Sequence, residues 1–229
     1  MGRAQVTWRD FRSLPGNCPV TWGVIVANGV TFLLSFLGWH LPLAYHPHSV
    51  AERPWTVFTY ALDGAGPVVS LLLSAYVFGL FGGSLERAWL VRDYVRFLLL
   101  TTPAPALALW LAGAWTGRTA GLAGLWLPVA ACAVAWSRLH PTERLLAYFV
   151  VPLEGRWVGV LSTVLVFFSF PFPLGVPALA GCAVAWWYVR GGRYGVVRWP
   201  GRAANPLEAY RRWRRKREFL RLMRRSGLH

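Results

Sequence analysis

The sequence has few charged residues and almost no lysine. Only 14% of its 229 residues are charged, and Lys216 is the only lysine. Soluble domains carry about 25% charged residues. Hydrophobic residues make up 55% of the chain, and the mean hydropathy is +0.40. Because apolar runs recur along the whole length, no stretch remains for a soluble domain with its own core. The composition predicts an all-α, polytopic membrane protein.

Cysteines and histidines are too few and too scattered to predict a metal site or a cofactor. Cys18, Cys132 and Cys182 form no CxxC pair, and the last two lie within apolar runs, where cysteine acts as a small packing residue. Three histidines share one proline-rich loop: His40, His46 and His48. Since no cysteine or carboxylate ligand pattern accompanies them, an interfacial loop in contact with water is favoured over a metal site.

Six apolar segments predict six transmembrane helices. They are Thr21–Leu43, Thr56–Gly82, Tyr94–Trp115 (interrupted by Pro103 and Pro105), Thr119–Trp136, Trp157–Phe170 and Leu174–Val189. The fourth is rich in small residues: Gly121, Ala123, Gly124, Ala130, Ala131 and Ala133. Small residues let helices approach closely in lipid. We therefore expect the fourth segment to be the central helix; a lipid-exposed, alanine-rich span is the alternative.

The distribution of basic residues predicts the orientation in the membrane. With both termini inside, 22 basic residues fall in inner segments, and only Arg53 and Arg118 fall in outer ones. This gives a cytoplasmic segment at residues 1–20, a six-helix membrane domain at 21–190 and a cytoplasmic tail at 191–229. The expected location is the plasma membrane.

The C-terminal tail is strongly basic. From Arg190 onward there are 12 arginines and Lys216 against Glu208 and Glu218 only, a net charge of +11. Residues 206–225 predict an interfacial helix with a narrow apolar stripe. Its candidate lipid-contacting residues are Arg211, Arg212, Trp213, Arg214, Arg215 and Lys216. Anionic lipid headgroups are the expected partners, and a nucleic-acid or ribosome contact is the less favoured alternative.

Several short motifs follow one another in a characteristic order. They are Pro19-Val-Thr-Trp22, Pro54-Trp-Thr-Val-Phe-Thr-Tyr60, Leu80-Phe-Gly82, Leu85-Glu-Arg87 and Phe149-Val-Val-Pro-Leu-Glu-Gly-Arg-Trp157. With these motifs, the chain resembles the rhomboid family of intramembrane serine proteases over about Pro19 to Tyr194. The resemblance implies a six-helix bundle, here followed by a basic C-terminal helix. It also implies a catalytic serine on the fourth span, a histidine on the sixth, and a histidine and an asparagine on the second that hold the oxyanion.

The chain departs from that pattern at every catalytic position. Ala123 stands at the nucleophile position and Ala178 at the base position, while Ser70 and Ser74 stand at the oxyanion positions. A shifted alignment does not restore the dyad. The only serine between residues 75 and 136 is Ser84, and residues 141–228 contain no histidine. Because a serine hydroxyl needs a base to become a nucleophile, the sequence predicts no serine-protease activity.

Three functions remain open at this point. The favoured one is a rhomboid-like pseudoprotease that binds transmembrane helices of client proteins, such as single-pass proteins, without cleaving them. Its hypothetical client-binding residues are Trp55, Asp63, Ser70, Ser74, Gly121, Gly124 and Gly181. The second is an endopeptidase with unconventional catalytic residues, for which Asp63 is a candidate. The third is a membrane-anchored protein that acts through its basic tail.

Overall fold

The computed structural model describes residues 18–64, 66–147 and 151–190, and for residues 144–147 and 151–153 it describes the backbone alone. Helices joined by irregular segments make up most of these ranges, and there is one β-hairpin. The helices are α1 (Pro19–Phe36), α2 (Thr56–Thr59), α3 (Val68–Ala88), α4 (Val91–Thr101), α5 (Pro103–Thr116), α6 (Trp126–Leu139), α7 (Gly155–Phe168), α8 (Gly175–Ala178) and α9 (Ala180–Arg190). Short 3-10 turns occupy Pro47–Ser49 and Tyr60–Leu62. Strand β1 (Arg144–Ala147) pairs antiparallel with β2 (Val151–Glu154), a feature that the all-α prediction missed.

Three helical stretches of the described chain are long and apolar enough to cross a membrane. They are α1 with 18 residues, α3 with 21 and the combined α4–α5 stretch, Val91–Thr116, with 26. Helices α6 and α7 are also apolar but have only 14 residues each. At 1.5 Å per residue such a helix is about 21 Å long, less than the ~30 Å hydrocarbon core. Six full-length spans therefore stay a prediction.

Helix α6 lies at the centre of the bundle, as its small residues predicted. Every residue from Leu127 to Ser137 is buried, including Ala130, Ala131 and Ala133. The helix packs against α3, α7 and α9. On the facing side of α7, Gly159 lies so close to Ser137 that a Cβ atom there would collide with the serine side chain. Close approach through small side chains therefore builds the core of the bundle.

The predicted start of the second span at Thr56 is wrong. Residues from Thr56 to Leu62 form only short helical turns, and the long helix begins at Val68. The interruption is the sequence Asp63-Gly-Ala-Gly-Pro67, in which Gly66 has a positive φ of 151°. Glycine permits that backbone conformation, and Pro67, with an extended ψ of 136°, directly precedes the new helix.

The predicted start of the fourth span at Thr119 is also wrong. Helix α6 begins at Trp126, so Gly121, Ala123 and Gly124 precede it. In this segment the Leu122 backbone forms an antiparallel bridge with Tyr45, with N···O distances of 2.8 and 2.9 Å. Gly124 has a positive φ of 80°, and its N–H donates to the Tyr60 carbonyl at 2.8 Å. These tertiary backbone hydrogen bonds replace the helical ones that local hydropathy predicted.

The described basic side chains are concentrated at one end of the bundle. The start of α1 and the end of α3 meet at this basic end. The thiol of Cys18, the residue before α1, donates a hydrogen bond to the Gly83 carbonyl of α3 at 3.4 Å. The opposite end contains the Tyr45–Leu122 bridge. Arg87, Arg92, Arg96, Arg138, Arg156 and Arg190 lie on helices at or near their basic-end termini, and Arg53 and Arg118 lie on connections at the opposite end.

Candidate functional site

A buried carboxylate fastens the first turn of α1 to the rest of the bundle. Glu86 on α3 is only 2% exposed. Its Oε1 accepts a hydrogen bond from the Val20 N–H at 2.9 Å. Its Oε2 accepts from the Thr21 N–H at 2.8 Å and from the Thr21 hydroxyl at 2.7 Å. The first N–H groups of a helix have no partners within the helix and carry partial positive charge. Glu86, part of the Leu85-Glu-Arg87 motif, therefore has a structural role as the cap of α1.

Polar side chains in the middle of α1 hold the segment that contains Asp63. Asn28 is 1% exposed, and its Nδ2 donates to the Ala61 carbonyl at 3.0 Å. The Thr31 hydroxyl donates to the Leu62 carbonyl at 2.7 Å and accepts from the Gly64 N–H at 3.0 Å. Because the regular α-helix begins only at Val68, these backbone groups need partners, which α1 supplies. The backbone on both sides of Asp63 is thereby fixed against α1.

Two tyrosine hydroxyls fasten the connecting segments of the bundle to α4 and α5. The Tyr45 hydroxyl donates to the Ala106 carbonyl at 2.9 Å, and the Tyr60 hydroxyl donates to the Thr102 carbonyl at 2.7 Å. Burial raises the pKa of Tyr45, in the loop after α1, to about 12. This tyrosine therefore keeps its donor proton at any physiological pH. Together with the Leu122 bridge, it ties the loop after α1 to the segment before α6.

The two positions to which the rhomboid resemblance assigns the catalytic dyad lie in very different surroundings. Ala123 is exposed in the segment before α6, whereas Ala178 is 1% exposed in α8, which packs against α5 and α7. Of the predicted oxyanion positions, Ser70 is exposed, and the Ser74 hydroxyl donates to the Ser70 carbonyl of its own helix at 2.7 Å. A methyl group is neither a nucleophile nor a base. The two alanine positions therefore supply neither the nucleophile nor the base of a serine protease.

The other predicted client-binding residues are dispersed. Trp55 is 50% exposed at the start of α2. Gly121 packs against Tyr45 and His46. Gly181 is buried where α9 meets α5, and a Cβ there would lie 3.2 Å from the Thr101 carbonyl oxygen. Pro105 has no N–H, so the Thr101 carbonyl lacks its usual hydrogen bond within the helix. Gly181 lets α9 pack closely against this interruption between α4 and α5. The predicted tail residues Arg211–Lys216 lie outside the described ranges.

Sequence reasoning missed two hydroxyl–imidazole contacts. The Ser35 hydroxyl lies 3.3 Å from Nδ1 of His40, five residues further along the chain. The Thr119 hydroxyl lies 3.4 Å from Nε2 of His48, and both side chains are exposed. An activated nucleophile and its base lie about 2.6–3.2 Å apart, with a further group orienting the base. Water also competes for an exposed contact of this length. Among the described residues, no group of three or more metal-ligating side chains was found.

An apolar cleft lies among α1, α4 and the segments around α2 and α6. Its volume is about 220 Å³. The lining residues are apolar except Thr102: Val20, Val24, Phe58, Ala61, Leu62, Phe78, Val95, Leu98, Leu99, Thr102, Leu125 and Pro128. Phe58 and Leu99 are 49% and 56% exposed, so they lie at its rim. None of the residues proposed from sequence lines this cleft, because hydropathy does not distinguish a cleft from a packed helix interface.

Residues 22–191 match the model of a protein family described as eukaryotic integral membrane protein (DUF1751). The chain belongs to this family. The match covers every described helix except the first residues of α1. No curated protein matches the chain. Family membership and the three long apolar helices agree that this is an integral membrane protein.

Proposed function

We propose that the protein is a rhomboid-like pseudoprotease that binds transmembrane helices of client proteins and does not cleave them. The observation that carries this proposal is the apolar cleft beside α1 and α4, whose rim residues Phe58 and Leu99 are about half exposed. In a membrane protein such a rim faces the lipid, which is where a client helix arrives. The resemblance to rhomboids supports the same function, since those proteins also engage transmembrane helices.

The size of the cleft defines what it can bind. Its volume of about 220 Å³ exceeds the ~150 Å³ of a dry apolar cavity that holds benzene. It therefore accepts one or two large apolar side chains, whereas a whole helix is 10–12 Å across. A client helix would lie against the rim and insert side chains. The only lining side chain with a polar group is that of Thr102. The backbone carbonyl of Thr102 already accepts the hydrogen bond of the Tyr60 hydroxyl.

The residues at the positions that the rhomboid resemblance assigns to catalysis support the proposed absence of cleavage. Ala123 and Ala178 have no reactive atoms, and water competes for the exposed Thr119–His48 contact of 3.4 Å. The proposed location is the plasma membrane, with six membrane-embedded helices and the basic end of the bundle in the cytoplasm. The concentration of described arginines at that end supports this orientation.

The test is photo-cross-linking of the full chain in cells. A photoreactive amino acid replaces Leu99, at the cleft rim, or Leu161, which is 50% exposed on α7 and does not line the cleft. We expect uncut single-pass proteins to be cross-linked from position 99 and not from position 161. Filling the cleft with Val95→Trp should abolish this capture, while Leu161→Trp should leave it unchanged. A probe at Ser74 tests the surface predicted from sequence.

Two other outcomes would contradict the proposal. Lipid alone at position 99, with a cellular phenotype that disappears when residues 206–229 are deleted, would assign the function to the basic tail. Cleaved client fragments that disappear on Asp63→Ala or His48→Ala would identify an unconventional endopeptidase. Thermal unfolding of each purified variant in detergent excludes loss of the fold as the cause.

A further inference from the structure

Two arginines converge on one tryptophan at the basic end of the bundle. The guanidinium carbon of Arg190 lies 4.6 Å from the centre of the Trp186 ring, and that of Arg138 lies 5.3 Å from it. Arg138 belongs to the last turn of α6, and Arg190 to the last turn of α9. Both arginines are exposed, and Trp186 is 37% exposed. The packing of α6 against α9 thus brings two positive charges from distant parts of the chain to one indole ring.

This pair has no acidic partner among the described residues. The ion pairs there join Arg96 to Asp93, His140 to Glu143 and Arg156 to Glu154, and none includes Arg138 or Arg190. The indole face and the two helix C-termini attract each guanidinium. These partial charges do not neutralise the two full positive charges. The site therefore favours a bound anion.

The depth of the site identifies the anion. Trp186 and the 59% exposed Trp187 lie near the end of α9, and tryptophans of this kind mark the headgroup level of a membrane. At that level phosphodiester groups are the abundant anions. Guanidinium groups donate paired hydrogen bonds to phosphate oxygens in a fixed planar geometry. The side chain of Trp187, which has no arginine over it in the described residues, offers apolar contact to the upper part of an acyl chain.

We propose that Arg138, Trp186 and Arg190 form a binding site for the headgroup of an anionic phospholipid. The two guanidiniums hold the phosphate, and the indole holds both guanidiniums in place. This site belongs to the membrane bundle and is independent of client binding in the cleft. It also differs from the tail contact predicted from sequence, because α6 supplies one of its two charges.

Native mass spectrometry of the purified full chain tests the site. The chain is titrated with phosphatidylglycerol or with phosphatidylcholine of the same acyl chains. We expect the wild type to bind phosphatidylglycerol more tightly, and R138Q/R190Q to weaken its tightest phosphatidylglycerol binding about tenfold or more, since two charge-assisted contacts are lost. The matched control R53Q/R92Q also loses two exposed arginines that have no ion pair among the described residues, and it should bind like the wild type.

Three results would overturn the assignment. The first is equal binding of phosphatidylglycerol by R138Q/R190Q and R53Q/R92Q. The second is equal binding of phosphatidylcholine and phosphatidylglycerol by the wild type. The third is displacement of the lipid by millimolar inorganic phosphate, which would show that a free anion occupies the site. Arg138→Lys keeps the charge but loses the planar donor pair, so it should bind more weakly than the wild type while unfolding at the same temperature.

Discussion

Helices α1 and α6 are both apolar, yet they are buried in opposite ways. Only 11% of α1 is buried, and its buried residues are the polar Thr21 and Asn28. In α6 every residue from Leu127 to Ser137 is buried, and most of them are small and apolar. Helix α1 exposes large side chains such as Val26 and Leu33, each 58% exposed. Apolar side chains are therefore no guide to the interior of this protein.

The difference follows from the solvent. Lipid tails are as apolar as leucine, so an exposed leucine on α1 costs nothing, and burial must be driven by close packing or polar contacts. Helix α6 uses close packing, with Ala131 fully buried. Helix α1 uses the hydrogen bonds of Glu86, Asn28 and Thr31. Different substitutions should therefore weaken the attachment of α1 and the packing of α6 separately.

The largest expected effect comes from removing the carboxylate that holds α1. Glu86→Ala leaves the N–H groups of Val20 and Thr21 and the Thr21 hydroxyl without their acceptor. We expect about 3 kcal/mol of destabilisation, since hydrogen bonds to charged groups contribute about 1.5–3 kcal/mol each and part of the loss is recovered by water. Thermal unfolding in detergent measures it. Glu52→Ala, at an exposed position, is the control and should unfold like the wild type.

An intermediate loss of stability is expected when a larger side chain is placed on α6 at the centre of the bundle. Ala131 on α6 is 0% exposed, so Ala131→Leu forces neighbouring helices apart at a cost of about 1–3 kcal/mol. Ala183→Leu makes the same chemical change at an exposed position of α9, where the added atoms meet lipid. If both variants had the same unfolding temperature, α6 would not be the close-packed centre.

The smallest expected change in stability comes from replacing a single glycine by alanine, on α1 or on α7. A Cβ at Gly29 on α1 would have no atom within 4 Å, so Gly29→Ala should stabilise the helix by about 0.5–1 kcal/mol. Gly159→Ala on α7 should destabilise, because its Cβ would collide with Ser137 of α6. Unfolding midpoints of the two variants, measured under identical conditions, should therefore shift in opposite directions. A shift of both in the same direction would contradict the packing described for α7.

Sequence patterns predicted several helices well and two of their starts poorly. The break at Pro103 and the central placement of α6 were predicted correctly, because proline geometry and side-chain size are local properties. The segments before Val68 and Trp126 were predicted to be helical because they are apolar. Their backbones are instead satisfied by Asn28, Thr31, Tyr45 and Tyr60, which are distant in sequence.

The candidate sites were harder to predict than the helices. The sequence alone shows that the dyad implied by the rhomboid resemblance is missing, because a span without serine or histidine cannot supply either group. The cleft and the Arg138–Trp186–Arg190 cluster are not visible, because their members come from separate helices.

The sequence by itself determined the membrane environment, the asymmetric distribution of arginine and the alanines at Ala123 and Ala178. Each of these depends on residue identity alone. Only the tertiary structure decided that Glu86 caps α1, that the segment before α6 pairs with Tyr45, and that two arginines meet at Trp186. The physical reason is that a polar group in an apolar environment must find a partner, and the partner is chosen by helix packing rather than by sequence neighbours.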